Sequence, residues 1–189
     1  MTKRFKGAFV ALLAGASAVS MTAATSPAFA RPPSLSEEHM LDRMQIEQMI
    51  IDYYAELGSG AHSKLSEYFT EDALFIVNGK RYKGSKAIDD IYAELGSQAS
   101  EMRFGKSHML MTNLSVQFED EDTATARVIW TGVKNDNLKA PPRVFEQGRE
   151  YDTLEKIDGV WYFSKRNIVS DSAMADQYDD TYMKDRPDH

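Results

Sequence analysis

The spacing of hydrophobic residues changes once along this chain, from helical spacing in the first half to strand-like alternation in the second. Ile46, Ile50 and Leu57 recur at the spacing of one helix face. Before them, Ser34 and Glu37 resemble a capping box, in which the serine accepts a backbone hydrogen bond and the glutamate reaches back. The pattern therefore predicts a helix over about 34–57, with Ser34 as its N-cap.

Shorter elements follow this helix. The pattern predicts a short helix over 62–69 and a strand over 73–77, and Asn78-Gly79 is a hairpin signal that leads into 80–83. Ser85 is expected to cap a further helix over about 86–95. Its predicted buried side consists of Ile88, Ile91, Tyr92 and Leu95.

The second half of the chain reads as long strands separated by turn residues. The predicted strands cover 106–118, 123–134, 143–156 and 160–169, and Asp158-Gly159 marks the last turn. Helices first and an antiparallel meander last is the pattern of an α+β fold. We therefore predict a curved sheet wrapped on N-terminal helices.

The N-terminal 30 residues have the features of a secretory signal peptide. Lys3, Arg4 and Lys6 precede an uncharged apolar run over 8–19, and Ala28-Phe29-Ala30 provides a small-residue cleavage site. The apolar run is short for a membrane span, although an uncleaved anchor is the alternative interpretation. We expect cleavage after Ala30 and a periplasmic or secreted protein without a membrane segment.

Cleavage would leave one ordinary domain of 159 residues. We assign residues 31–170 to this domain and residues 171–189 to a polar C-terminal tail. The tail contains several aspartates together with Tyr178 and Tyr182. It is interpreted either as a frayed end or as a lid over a pocket.

Charge and composition exclude several classes of function. The chain has 22 basic and 29 acidic residues, and loss of three signal-peptide cations gives the mature protein a net charge of about −10. This balance argues against nucleic acid or an anionic membrane as a partner. Without cysteine, thiol catalysis and cysteine-ligated metals are excluded, and the four histidines are too scattered for a metal site. We expect neither a metal nor a cofactor.

A set of short motifs, in a fixed order, resembles a known family. They are Phe69 to Ala73, the Lys83-Gly84-Ser85 turn into Ala87-Ile88, His108 with Asn113, Asp152 with Leu154, Ile157-Asp158-Gly159 with Trp161, and Arg166 with Val169. Over roughly 41–171 the chain resembles the nuclear-transport-factor-2-like (NTF2-like) superfamily in its SnoaL-like branch. The resemblance implies a cone-shaped α+β fold with an internal pocket. It also implies either cofactor-free acid–base chemistry or ligand binding without chemistry, since both occur in this superfamily.

His108 matches the strand histidine of the dehydratases in this superfamily. An imidazole titrates near neutral pH and can act as general acid or base. The chain departs from the dehydratases at two further positions, where Gly58 and Val128 replace an aspartate and a second histidine. Simple dehydration by the dehydratase mechanism is therefore not expected. A buried histidine that only hydrogen-bonds a neighbour is the alternative for His108.

Glu150 and Asp152 alternate onto one face of a predicted strand and provide candidate carboxylates. Glu150 matches a pocket-lining asparagine of scytalone dehydratase. In apolar surroundings such a carboxyl would have a raised pKa and could act as a base. The alternative is a salt bridge on the sheet surface to Arg149, Arg143 or Arg127.

Tyr53 and Tyr54 lie on the first predicted helix, at the positions where tyrosines of the family hydrogen-bond a substrate oxygen. Adjacent helical residues differ by about 100°, so one of the two is expected to face the cone, and a purely structural role is the alternative. Arg166 could bind a carboxylate or stabilise an oxyanion, or it could pair with Asp152 or Glu155. Trp130 and Trp161 are interpreted as packing residues.

Two functional hypotheses follow. The first is an exported, cofactor-independent lyase that acts on a small hydrophobic, aromatic or polycyclic alcohol, by C–O dehydration or by C–C retro-aldol deformylation. His108, Glu150 and a tyrosine would carry this chemistry. The second is a periplasmic module that binds an apolar ligand without catalysis. A homo-oligomer, either a dimer or a trimer, is expected in both cases. Convergence of His108 with a carboxylate in one pocket would favour the first hypothesis.

Overall fold

The computed structural model describes residues 36–59, 62–101 and 106–184. The predicted signal peptide, Ser34 and the end of the tail lie outside the described residues. Among the residues that are described, no helix is long and apolar enough to cross a membrane.

Helix α1 spans Glu37–Ser59. The backbone N–H of His39 donates to Ser36 Oγ at 3.0 Å, so Ser36 is the N-cap and the prediction of Ser34 was wrong by two residues. Both serines can cap a helix, and the helix begins after the second of them. Ile46 and Ile50 are buried on the predicted face.

Helix α2 spans Ser85–Glu101, six residues beyond its predicted end. Ile88, Ile91 and Tyr92 are buried as predicted. A short 3-10 helix, His62–Tyr68, lies between α1 and the first strand. These elements pack their apolar sides against one face of the sheet.

Six strands form one mixed sheet in the order β2-β1-β6-β5-β4-β3. The α+β fold with a curved sheet wrapped on helices is thereby confirmed. The strand β1 pairs in parallel with β6, and the other neighbours are antiparallel. The strands are β1 Phe69–Val77, β2 Lys80–Lys83, β3 Lys106–Phe118, β4 Thr123–Asn135, β5 Arg143–Ile157 and β6 Val160–Ser170.

Both predicted two-residue turns close hairpins in the left-handed conformation. Asn78 and Gly79 have φ of 47° and 83°, and Asp158 and Gly159 have φ of 52° and 80°. Positive φ at both central residues matches the twist of the flanking strands, which explains the Asn-Gly and Asp-Gly pairs.

The sheet has an inner face, covered by the helices, and an outer face. Bulges decide which side chains reach the inner face, and two of them affect the candidate residues. One bulge lies in β3 at Asn113, whose φ is 59°. The other lies in β6 at Ser164, between the Leu154–Phe163 and Thr153–Lys165 pairs. Each bulge shifts the alternation of its strand by one residue.

The first part of the tail packs against the β1–β2 turn. Tyr178 is buried, and the Tyr182 hydroxyl donates to the Ser170 carbonyl at 2.9 Å. The carbonyl oxygens of Thr181 and Lys184 lie so close to Gly79 that any side chain there would collide with them. This contact places the segment at the end of the sheet where β1 turns into β2.

Candidate functional site

Arg166 lies at the centre of a buried polar cluster on the inner face. Its guanidinium is fully buried, and Nη2 donates to Glu150 Oε2 at 2.7 Å and to the Tyr54 hydroxyl at 3.2 Å. Burial lowers the pKa of Arg166, but the combined attraction of Glu150, Tyr53, Asp152 and Tyr92 outweighs burial and raises the pKa above its ordinary value. Arg166 therefore stays charged, and Glu150 is its carboxylate partner rather than part of a surface salt bridge.

Aromatic rings surround the same guanidinium. Its central carbon lies 4.0 Å from the centre of the Tyr53 ring, 4.4 Å from that of Phe163 and 5.4 Å from that of Tyr54. Such cation–π contacts favour a charged arginine in a dry environment. The expectation that one tyrosine faces the cone was wrong, because the planar guanidinium is wide enough to contact two rings that lie about 100° apart on the helix.

The Tyr53 hydroxyl hydrogen-bonds the hydroxyl of Tyr92, which extends the cluster to α2. Burial raises the pKa of Tyr53 well above its ordinary value and that of Tyr92 to about 12. Both groups therefore remain protonated at neutral pH. The sequence pattern placed Tyr92 in the core and did not indicate this hydrogen bond.

Asp152 is the cross-strand neighbour of Arg166 and is also buried. Burial raises the pKa of this carboxyl well above its ordinary value, with the Arg166 charge opposing the shift and the Glu150 charge adding to it. Burial also raises the pKa of Glu150, against the attraction of Arg166. Two carboxyls thus share one cation, and we assign the charged form to Glu150, which holds the direct contact, and the protonated form to Asp152.

Several polar atoms of the cluster have no hydrogen-bond partner within the described part of the chain. They are Glu150 Oε1, both carboxyl oxygens of Asp152, and Nε and Nη1 of Arg166. A buried polar atom without a partner costs about 1–3 kcal/mol. The cluster therefore offers both donors and acceptors to any polar group that enters it.

His108 lies away from this cluster. It is exposed on β3, whereas its neighbour Met109 and the next alternate residue, Met111, pack against the core. The bulge at Asn113 explains this orientation, since regular alternation would put His108 on the same face as the buried Val116. Five of the six predicted site residues converge, and the histidine does not.

The outer face of the sheet carries a depression of about 720 Å³, whose lining also includes Asp152 of the cluster. Residues lining it include Ser115, Gln117, Thr125, Arg127, Tyr151, Thr153, Lys165 and Asn167. A second depression, of about 540 Å³, lies between α1 and the β5–β6 turn. Across the described residues, no three His, Asp or Glu side chains form a group that could hold a metal ion.

Comparison with known proteins identifies the family. The model of the SnoaL-like domain matches residues 38–167, well over half of the chain. The chain belongs to the SnoaL-like family. No functionally curated protein matches the sequence.

Solved structures share the fold. A putative scytalone dehydratase from Novosphingobium aromaticivorans is 21% identical, with a TM-score of 0.60 over 73% of this chain and 89% of that one. LinA is also 21% identical, with a TM-score of 0.59 over 71% and 89%. ActVI-ORFA from Streptomyces coelicolor is 12% identical, with a TM-score of 0.63 over 72% and 99%. These SnoaL-like and NTF2-like relationships are consistent with small-molecule binding or cofactor-free catalysis.

Proposed function

We propose that this SnoaL-like protein binds a small hydrophobic alcohol against the Arg166 cluster and cleaves it by cofactor-independent lyase chemistry. The observation that carries the proposal is the convergence of two buried carboxyls, one arginine and two tyrosines on the inner face. A purely structural ion pair needs one carboxylate, whereas acid–base chemistry needs a group to accept a proton and a second group to donate one.

The roles follow from the contacts. Glu150, held ionised by Arg166, accepts a proton from the substrate through Oε1. Asp152, held protonated by burial, donates a proton to the leaving hydroxyl in a dehydration or to the carbanion in a deformylation. Arg166 and Tyr54 stabilise the developing negative charge on the substrate oxygen. His108 is exposed and does not converge with a carboxylate in this cluster, so Asp152 takes the role that the family resemblance implied for His108.

Incubation of the purified protein with aromatic and steroidal alcohols, without cofactor, tests the proposal. Mass spectrometry detects the loss of water or of formaldehyde. We expect Asp152→Asn and Glu150→Gln to lower turnover at least about 100-fold, the usual scale of general acid–base catalysis. The exposed His108→Ala variant is the matched control and should turn over normally. Loss of turnover in His108→Ala, together with normal turnover in Asp152→Asn, would return His108 to the mechanism and refute the assignment to Asp152.

Ligand binding without catalysis is the second candidate. The complete burial of Arg166 and Glu150 favours it, because a fully enclosed ion pair can serve structure and ligand recognition alone. Under this candidate the same alcohols raise the melting temperature of the protein and no product forms. The product assay and the melting curves together separate the two candidates.

Export and self-association belong to the same proposal. The composition of residues 1–30 supports cleavage after Ala30 and a periplasmic or secreted location. Leu110 and Val144, both more than half exposed, provide apolar surface for a dimer or trimer. N-terminal sequencing of the exported protein and light scattering on the purified protein test these two points.

A further inference from the structure

The inner face of β5 continues beyond the Arg166 cluster toward the start of the strand. By alternation, Asp152, Glu150, Gly148 and Glu146 follow one another on this face. Gly148 pairs with Trp130 of β4, and Glu146 pairs with Gly132. Trp130 and Glu146 are therefore diagonal neighbours, roughly 7–8 Å apart and within reach of long or aromatic side chains. We call them the Trp130–Glu146 site.

Two glycines shape this site. The indole ring of Trp130 lies directly over Gly148, and the side chain of Glu146 lies directly over Gly132. A side chain at either glycine would collide with the group above it. Each glycine therefore lets a large side chain lie flat across the neighbouring strand.

Two polar groups of this site, the indole N–H of Trp130 and the carboxyl of Glu146, lie close to or within the core. Trp130 is only 4% exposed, and its Nε1 is buried without a hydrogen-bond partner within the described residues. Buried indole N–H groups normally find one. Glu146 is half-buried, and burial raises the pKa of its carboxyl. Met109 and Met111 are half-buried beside them and provide apolar contact surface.

We propose that the Trp130–Glu146 site binds a hydroxyl group at the far end of the substrate. The indole N–H is a donor only and the carboxyl of Glu146 provides acceptor oxygens, whereas a hydroxyl group can both accept and donate. A carboxylate end has no proton to donate to Glu146, and an ammonium end could not accept from Trp130. The site thus selects a neutral hydroxyl.

The spacing along β5 gives the length of the molecule. Glu146 lies four residues from Glu150, which corresponds to about 13 Å along a strand. This inference rests on the proposed function, with one end of the substrate at Arg166. It then specifies the substrate as an elongated hydrophobic molecule, of biaryl or polycyclic size, with a hydroxyl group at each end.

Isothermal titration calorimetry with matched probes tests the inference. The pairs are 4,4′-dihydroxybiphenyl with 4-hydroxybiphenyl, and estradiol with its 17-deoxy analogue. We expect each diol to bind about tenfold more tightly than its mono-ol, the effect of one well-formed hydrogen bond. Trp130→Phe and Glu146→Met should each abolish this difference, because each removes one hydrogen-bonding group. Glu155→Met, on an exposed position of the same strand, is the matched control and should retain it.

The outcomes separate this inference from the proposed function. Equal affinity of diols and mono-ols, with both weakened by Glu150→Gln, would overturn the Trp130–Glu146 site and leave the Arg166 site standing. Loss of the diol preference in the Trp130 and Glu146 variants, without any effect of Glu150→Gln on affinity, would support the Trp130–Glu146 site and overturn the Arg166 site. Absence of binding by all four probes would overturn both.

Discussion

Residues that alternate along β5 and β6 meet two very different environments. On the inner face Arg166 pairs with Glu150, and both side chains are fully buried among aromatic rings. On the outer face Arg149 pairs with Asp171 at the same kind of distance, 2.8 Å, but its side chains are 16% and 33% exposed. The shortest nitrogen–oxygen distances of the two pairs are alike, but Arg149 donates two hydrogen bonds to Asp171 whereas Arg166 donates one to Glu150. The pairs also differ in their access to solvent.

The comparison shows that distance alone does not determine what an ion pair contributes. Water screens the Arg149–Asp171 pair and can solvate either partner if the other is removed. Water does not reach the Arg166–Glu150 pair, so removal of one partner leaves the other as a buried charge without compensation. The following four experiments test this contrast.

Replacement of Arg166 by Met should have the largest effect. It leaves Glu150 and Asp152 buried without a cation, and the free energy of unfolding should fall by about 3–5 kcal/mol at neutral pH. Urea unfolding measures the change. The neighbouring Lys165→Met, on the outer face, should leave the urea midpoint unchanged. Similar urea midpoints for both variants would show that the contribution of the inner ion pair to stability does not depend on its burial.

Asp152→Asn should change the pH dependence of stability. Because burial raises the pKa of Asp152 in the folded state, the folded protein holds this proton at a pH where the unfolded chain has released it. Stability contributed by protonated Asp152 is therefore present below the unfolded value near pH 4 and is lost as pH rises toward the folded pKa. Between pH 4 and 8, the urea midpoint should fall less steeply with rising pH in the variant than in the unmodified protein. Parallel curves for the two proteins would contradict the raised pKa.

Tyr54→Phe removes an acceptor from the buried guanidinium. A hydrogen bond to a charged group typically contributes about 1.5–3 kcal/mol, so the variant should lose stability on that scale. Tyr151→Phe is the outer-face control, since its hydroxyl accepts from Arg149 over a longer distance of 3.4 Å. Thermal melting of both variants measures the difference, and an equal loss would contradict the contrast between the faces.

Arg149→Ala should have the smallest effect. We expect a loss of about 0.2–1 kcal/mol that decreases as salt is added, because the pair with Asp171 is accessible to solvent. Urea titrations at low and high ionic strength measure this change. A loss as large as that of Arg166→Met, and insensitive to salt, would show that this outer pair behaves like the inner one.

The sequence was sufficient to predict the fold, because its signals are local. Asn78-Gly79 and Asp158-Gly159 mark turns that only a few residue types form, and alternation between them indicates the strands. The placement of Glu150 and Asp152 on one face was predictable from the same alternation. Extending that alternation back by four residues would also have found Glu146.

The bulges were not predictable, and they decide which residues meet. Counted back from the Asp158-Gly159 turn without interruption, Asp152 would pair with Lys165 and Arg166 would face outward. The bulge at Ser164 shifts the register so that Asp152 pairs with Arg166. The bulge at Asn113 likewise turns His108 outward. A bulge depends on packing across the whole sheet, so neither strand carries a local signal for it.

The position of β6 also has a consequence for the order in which the molecule folds. This last strand lies between β1 and β5, and its residue Arg166 pairs with Phe75, far away along the chain. Before β6 has been synthesised, the β1–β2 hairpin has no neighbour and the cation of the inner cluster is missing. Contacts of such long sequence separation slow folding. A nascent chain therefore cannot close its core until its final strand has left the ribosome.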